Sequence, residues 1–113
     1  MLSPEGLEWQ YESPGEMRWQ QALDYAAALA LNDKSDWRLP TLAELETLLD
    51  RTQSRSDGRA PMREDVPFRD LRSYWSCTTF ERDTKTAWIL MFDGAYLLSY
   101  PKGNRYWVRC VRG

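Results

Sequence analysis

The strongest constraint on what this chain can fold into is a change of hydrophobic period partway along it. Between Met17 and Leu49 the apolar residues recur at helical spacing, whereas from Tyr74 onward they run and alternate as strands do. Residues 51–72 separate the two regimes. They are rich in Arg, Ser, Asp, Gly and Pro, and their large apolar members are Met62, Val66, Phe68 and Leu71. Helices first and strands after them predict an α+β chain rather than an alternating α/β one.

Each element has its own local signal. Gly6-Leu7-Glu8-Trp9-Gln10-Tyr11 alternates as a half-buried strand over 6–11, and Ser13-Pro14-Gly15 breaks it. Trp19, Ala22, Leu23, Ala26, Leu29 and Ala30 place a wide apolar stripe on a helix over 17–31, which ends in the turn formers Asn32-Asp33-Lys34-Ser35. Trp37-Arg38-Leu39-Pro40 reads as extended, because proline pushes the residue before it out of the helical region. Thr41 and Glu44 have the spacing of a capping box, so a second helix is predicted over 41–50 with Leu42, Leu45, Leu48 and Leu49 inward. Residues 51–72 read as a long surface loop, and loops of that length in small domains are usual places for a site. Strands follow over 74–80, 86–92, 95–100 and 105–111 as an antiparallel meander. Asp93-Gly94 marks a tight hairpin, and Pro101-Lys102-Gly103-Asn104 a further turn.

Composition limits the function. At 113 residues one core is expected, hence a single domain over 1–113, and six Trp, six Tyr and three Phe must largely be covered. The absence of histidine excludes Ser-His-Asp and Cys-His catalysis and imidazole zinc sites within this chain. Two cysteines cannot fill a four-thiolate site. No apolar run reaches the roughly 20 residues of a membrane span. Glutamates at positions 5, 8, 12 and 16 leave no signal-peptide pattern. A cytoplasmic protein with two reduced thiols is therefore expected; a Cys77–Cys110 bridge is the alternative, and a removed leader would make the protein secreted or surface-bound.

The net charge of −2 hides an asymmetry. Residues 1–50 carry ten acidic and three basic side chains, a net of −7, and residues 51–113 carry twelve basic and seven acidic, a net of +5. Arg55, Arg59, Arg63, Arg69 and Arg72 sit in the loop, and a guanidinium fork suits sulfate, phosphate or carboxylate. The plain alternative is that acidic helices fold against a basic sheet and loop. In Arg105-Tyr106-Trp107-Val108-Arg109-Cys110, alternation puts Trp107 with two arginines on one face, either exposed for stacking or covered by the loop. Trp9, Trp19, Trp37, Trp75 and Trp88 read as core.

Several runs occur together in order: Gly6-Leu7-Glu8-Trp9-Gln10, Trp19 with Ala22, Asp36-Trp37-Arg38-Leu39-Pro40-Thr41 with Glu44-Leu45, Tyr74-Trp75-Ser76, Ala87-Trp88, and Val108-Arg109-Cys110-Val111-Arg112. Together they resemble the bacterial domain family typified by the C-terminal domain of the Lcl collagen-like adhesin. The resemblance implies a C-type-lectin-like fold, related to that of formylglycine-generating enzymes, with paired terminal strands, two helices flanking a sheet and a long loop bearing the ligand surface. It also implies binding rather than chemistry, with some members taking sulfated glycans. Family members often carry a first-helix cysteine that would bridge to the last strand; that position is Ala26 here.

The expected function is a non-enzymatic binding module, with no cofactor or metal and with another protein as partner. Its surface would comprise Arg55, Arg59, Arg63, Arg69, Arg72, Tyr96, Tyr100, Arg105 and Trp107. The alternative is an extracellular binder of sulfated or other anionic glycans. A copper or thiol oxidase of formylglycine-generating type, using Cys77 and Cys110, is more remote, because those cysteines are far apart in sequence. The glutamate-proline-asparagine and tryptophan-asparagine-aspartate signatures of calcium lectins are absent. An isoelectric point near 5.2 opposes nucleic-acid binding.

Overall fold

The computed structural model describes residues 6–50, 62–63, 66, 68, 72–92 and 96–113. In chain order they form β1 (Glu8–Trp9), β2 (Glu16–Arg18), α1 (Trp19–Ala28), α2 (Leu42–Glu46), β3 (Ser73–Thr79), β4 (Thr86–Met91), β5 (Tyr96–Pro101), β6 (Arg105–Trp107) and β7 (Val111–Arg112). The chain is α+β. A five-stranded sheet runs β2-β6-β3-β4-β5, and β1 pairs antiparallel with β7 in a separate two-stranded sheet.

Both faces of the larger sheet are buried, which is why β3 and β4 read as nearly continuous apolar runs. On one face Tyr74, Leu90 and Phe92 pack with Leu45, Leu48 and Leu49 from α2 and the turn after it, and with Trp9 and Val111. On the other, Trp75, Ala87 and Ile89 pack with Ala22 and Ala26 of α1 and with Trp37, Leu39, Val108 and Cys110. The stretch expected as a surface loop contributes to the first cluster: Met62, Val66 and Phe68 are all buried there. Met62, Val66 and Phe68 are thus core side chains.

The element boundaries move for identifiable reasons. Helix α1 starts two residues later than its periodicity predicts, because Glu16, Met17 and Arg18 pair with Trp107, Tyr106 and Arg105 as a strand. It ends at Ala28 because Leu29 is extended, after which Asn32 and Asp33 adopt positive φ in a tight Leu31–Lys34 turn. The predicted 41–50 helix is regular only over Leu42–Glu46; beyond it, i to i+3 bonds from Thr47, Leu48 and Leu49 tighten the chain while keeping both leucines buried. The 105–111 run divides in two, β6 serving the large sheet and β7 the small one. Strands β3, β4 and β5 do form a meander, but β6 returns to the other side of β3 and meets it in parallel at Tyr74 and Trp107. The Asp93-Gly94 turn lies outside the described residues.

Strand β3 is irregular between Trp75 and Thr79, and its displaced polar groups fasten both helices. The Ser76 carbonyl accepts from the Trp19 indole at 2.9 Å, and the Thr78 hydroxyl accepts from Leu42 N–H at 3.2 Å. Cys77 N–H donates to the Pro40 carbonyl at 2.8 Å. The Trp37–Pro40 run is held from its other side, since Arg38 and Val111 exchange two backbone bonds of 2.9 Å.

The capping box forms as predicted: Glu44 N–H donates to Thr41 Oγ1 at 3.1 Å and Thr41 N–H to Glu44 Oε1 at 2.8 Å. Arg38 adds a fork onto the same carboxylate, at 2.6 and 2.7 Å, and its Nη2 also reaches the Gly113 carbonyl at 3.2 Å. That fork holds the Glu44 carboxyl below the usual glutamate range against the opposing effect of burial. Its stabilisation is therefore present above the ordinary glutamate pKa of about 4.3 and is lost as pH falls through the lowered value. Glu44→Gln should cost about 1–2 kcal/mol at neutral pH. In urea unfolding the variant and parent midpoints should converge as acid protonates Glu44; an equal gap at both pH values would contradict this role.

Candidate functional site

The sheet register divides the surface expected from sequence. Ser73 pairs with Met91, Met91 with Tyr96, and Tyr74 with Trp107, so Arg72, Tyr96 and Trp107 lie toward one end of the sheet, but β3 and β4 separate Tyr96 from Trp107 and alternation turns the two rings to opposite faces. There the Arg72 guanidinium lies over the Trp107 ring at 4.1 Å, while Tyr96 is 43% exposed. Tyr100 pairs with Ala87 and Arg105 with Arg18, which puts both at the opposite end. The Tyr100 ring is half-buried against Tyr106 at 5.6 Å, a packing role. Arg63 donates its backbone N–H to the Leu48 carbonyl at 2.8 Å. Arg55, Arg59 and Arg69 lie outside the described residues.

The alternation through Arg105–Cys110 is real, but its meaning differs from the open arginine face that was one of its readings. Trp107 packs against the first core cluster, and Arg109 is only 3% exposed. Arg109 Nη1 donates to the carbonyls of Gln10, at 2.8 Å, and Tyr11, and Nη2 donates to the Tyr74 hydroxyl at 3.1 Å. Its plane lies 3.8 Å from the Phe68 ring centroid. Arg112 is spent on the acidic half of the chain: it forks onto Asp36 at 2.6 and 3.1 Å and reaches Glu8 at 3.0 Å. Arg112 thus pairs across the two halves of the chain, whereas the Arg38–Glu44 pair lies within the acidic half.

Neither cysteine is in a disulfide. Cys110 is fully buried, and burial pushes its thiol up to about 12. Cys77 is half-buried at the β3 irregularity; burial raises its pKa too, against the lowering effect of nearby Arg38. Neither environment favours a reactive thiolate. Among the described residues no group of three or more His, Cys, Asp or Glu is placed to hold a metal ion. No helix among them is long and apolar enough to cross a membrane.

Sequence reasoning missed a cleft of about 460 Å³ between residues 9–14 and the C-terminal part of α1 with the turn after it. Tyr11, 60% exposed, stands at this cleft, and Tyr25, Leu29, Leu31 and Asn32 face it from the helix side. Its base is prebuilt. Buried Gln10 donates from Nε2 to the Tyr25 hydroxyl at 2.8 Å and accepts at Oε1 from Cys110 N–H at 3.0 Å, while Ser13 Oγ donates to the Val108 carbonyl at 2.5 Å. The one available signal was Tyr11, a large ring at the point where the strand pattern stops.

Two outcomes follow for this region. Native protein should present only Cys77 to a thiol reagent, slowly, whereas denatured protein presents both thiols; rapid native labelling of Cys110 would contradict its burial. Arg109→Met should destabilise by about 3 kcal/mol in urea unfolding, since it strips donors from buried carbonyls. A loss below about 0.5 kcal/mol would show that these hydrogen bonds are dispensable.

Comparison with known proteins gives one family. A family model described as the Lcl C-terminal domain matches residues 3–112. No curated protein matches the chain.

Proposed function

The chain belongs to the Lcl C-terminal domain family, and on that premise we propose that it is a non-enzymatic recognition module whose partner is another protein. The observation that carries this reading is the Arg72–Trp107 stack at 4.1 Å, with Tyr96 exposed on the edge strand toward the same end of the sheet. Arginine and large aromatic rings dominate the energetics of protein interfaces, because each offers broad contact area with a polar edge. A guanidinium stacked on a ring keeps its N–H edge available for a carboxylate or carbonyl of the partner.

The paired β1 and β7, the two helices and the burial of Met62, Val66 and Phe68 support a C-type-lectin-like arrangement for this module. The two free thiols support work in a reducing compartment, a cytoplasmic regulatory or accessory role in a bacterium. The high pKa of Cys110 weighs against thiolate copper chemistry.

A second reading rests on the same stack, which has the chemistry to take a sulfated sugar, ring to ring and guanidinium to sulfate. Heparin chromatography separates the two. A protein-recognition module of net charge −2 should pass through at physiological salt. Retention that falls on Arg72→Ala would overturn the protein reading in favour of the glycan. For the protein partner, a photo-crosslinking residue at position 96 should give a discrete adduct in cells that is lost on Trp107→Ala, while the same residue at exposed position 24 gives none.

A further inference from the structure

The 9–14 cleft is a second site with its own chemistry, and we propose that it binds a small organic ammonium ion. Its volume of about 460 Å³ falls in the range of small-molecule pockets, roughly 300–1,000 Å³. The lining is divided in character. Leu29 and Leu31 offer an apolar surface for an aliphatic or aromatic body, and other lining residues are electron-rich: the Tyr11 and Tyr25 rings, the Glu12 carboxylate and the Asn32 side chain.

Charge complementarity selects the ligand class. Among the described residues, Glu12 is the single charged residue that lines the cleft. Asn32 directs its Nδ2 to Glu8 at 3.4 Å, which leaves its carbonyl oxygen as an acceptor. The neighbouring guanidinium groups are committed elsewhere, Arg112 to Glu8 and Asp36, and Arg109 to the Gln10 and Tyr11 carbonyls and the Tyr74 hydroxyl. An anion would therefore meet a carboxylate with no cation among the described lining residues, and a neutral ligand would leave that carboxylate unused. A protonated amine can lie against the ring faces of Tyr11 and Tyr25 and pair with Glu12. The Gln10–Tyr25 and Ser13–Val108 bonds hold this geometry before any ligand arrives, so little ordering is required on binding.

The test is a titration of the ¹⁵N-labelled protein with three probes of one shape: 2-phenylethylammonium, 2-phenylethanol and 3-phenylpropionate. The ammonium probe should shift the Gln10 side-chain amide and Trp9 indole resonances and bind about tenfold more tightly than the alcohol, while the carboxylate probe should leave them in place. Glu12→Gln should weaken the ammonium probe about three- to tenfold and leave the alcohol unchanged; Tyr11→Ala should weaken both. Both positions are exposed, so spectra of the variants will report an intact fold. Equal binding of alcohol and ammonium, no binding of either, or shifts centred on Trp107 would each overturn the proposal. The last outcome would leave the Arg72–Trp107 reading standing, because the two sites share no side chain.

Discussion

The irregularity of β3 at Ser76–Thr78 is where the strand order and the helix positions meet. A regular strand there would direct all its backbone groups to its neighbours in the sheet. Instead the Ser76 carbonyl takes the Trp19 indole, Cys77 N–H takes the Pro40 carbonyl, and the Thr78 hydroxyl takes Leu42 N–H. The Ser76 hydroxyl, buried with its residue, donates to the Trp88 carbonyl at 2.7 Å and accepts from Thr78 N–H at 3.1 Å, so the distortion leaves that hydroxyl satisfied. Trp75 extends the same fastening, its indole donating to the Met17 carbonyl at 2.8 Å. One short distortion in the central strand thus registers the starts of α1 and α2 on opposite faces of the sheet.

Arg109 does on one side of the sheet what that distortion does for the helices. Its guanidinium gathers the carbonyls of Gln10 and Tyr11 with the Tyr74 hydroxyl and packs on Phe68. The N-terminal segment, the central strand and Phe68 thereby meet on one planar group. A guanidinium suits this position because it offers five donors in a fixed plane, and it can be buried when those donors face acceptors and its flat faces meet rings. It also fixes the Gln10 and Tyr11 backbone within the 9–14 segment that forms one wall of the cleft. Packing and a candidate binding site are therefore coupled through a single buried charge.

The legible parts of the sequence were those with a local cause. The capping box was readable because its two residues act on each other's backbone groups across a single helical turn. Trp37 and Leu39 were readable as core because alternation survives whenever one face of an extended run is buried. The split of 105–111 was not, since nothing within those residues says that Val108–Cys110 must cross from the sheet beside β3 to the strand paired with β1. Likewise Arg38, Arg109 and Arg112 look the same in composition as Arg72. They differ only in whether a carboxylate, a row of carbonyls or a half-buried aromatic ring is waiting for them.

By itself the sequence determined the fold class, the two-helix order, the burial of Trp9, Trp37 and Trp75 and the family, because hydrophobic period and short-range capping act within a few residues; Trp19 and Trp88, which also read as core, are only half-buried. Only the tertiary structure decided which arginines serve the fold and which the surface, that Tyr96 and Trp107 share an end while Tyr100 and Arg105 do not, and that a cleft opens beside Tyr11. Those outcomes rest on contacts such as Arg109 to Gln10, 99 residues apart in the chain. A pairing over that distance leaves no periodic trace, because its geometry exists only after the strands have taken their register.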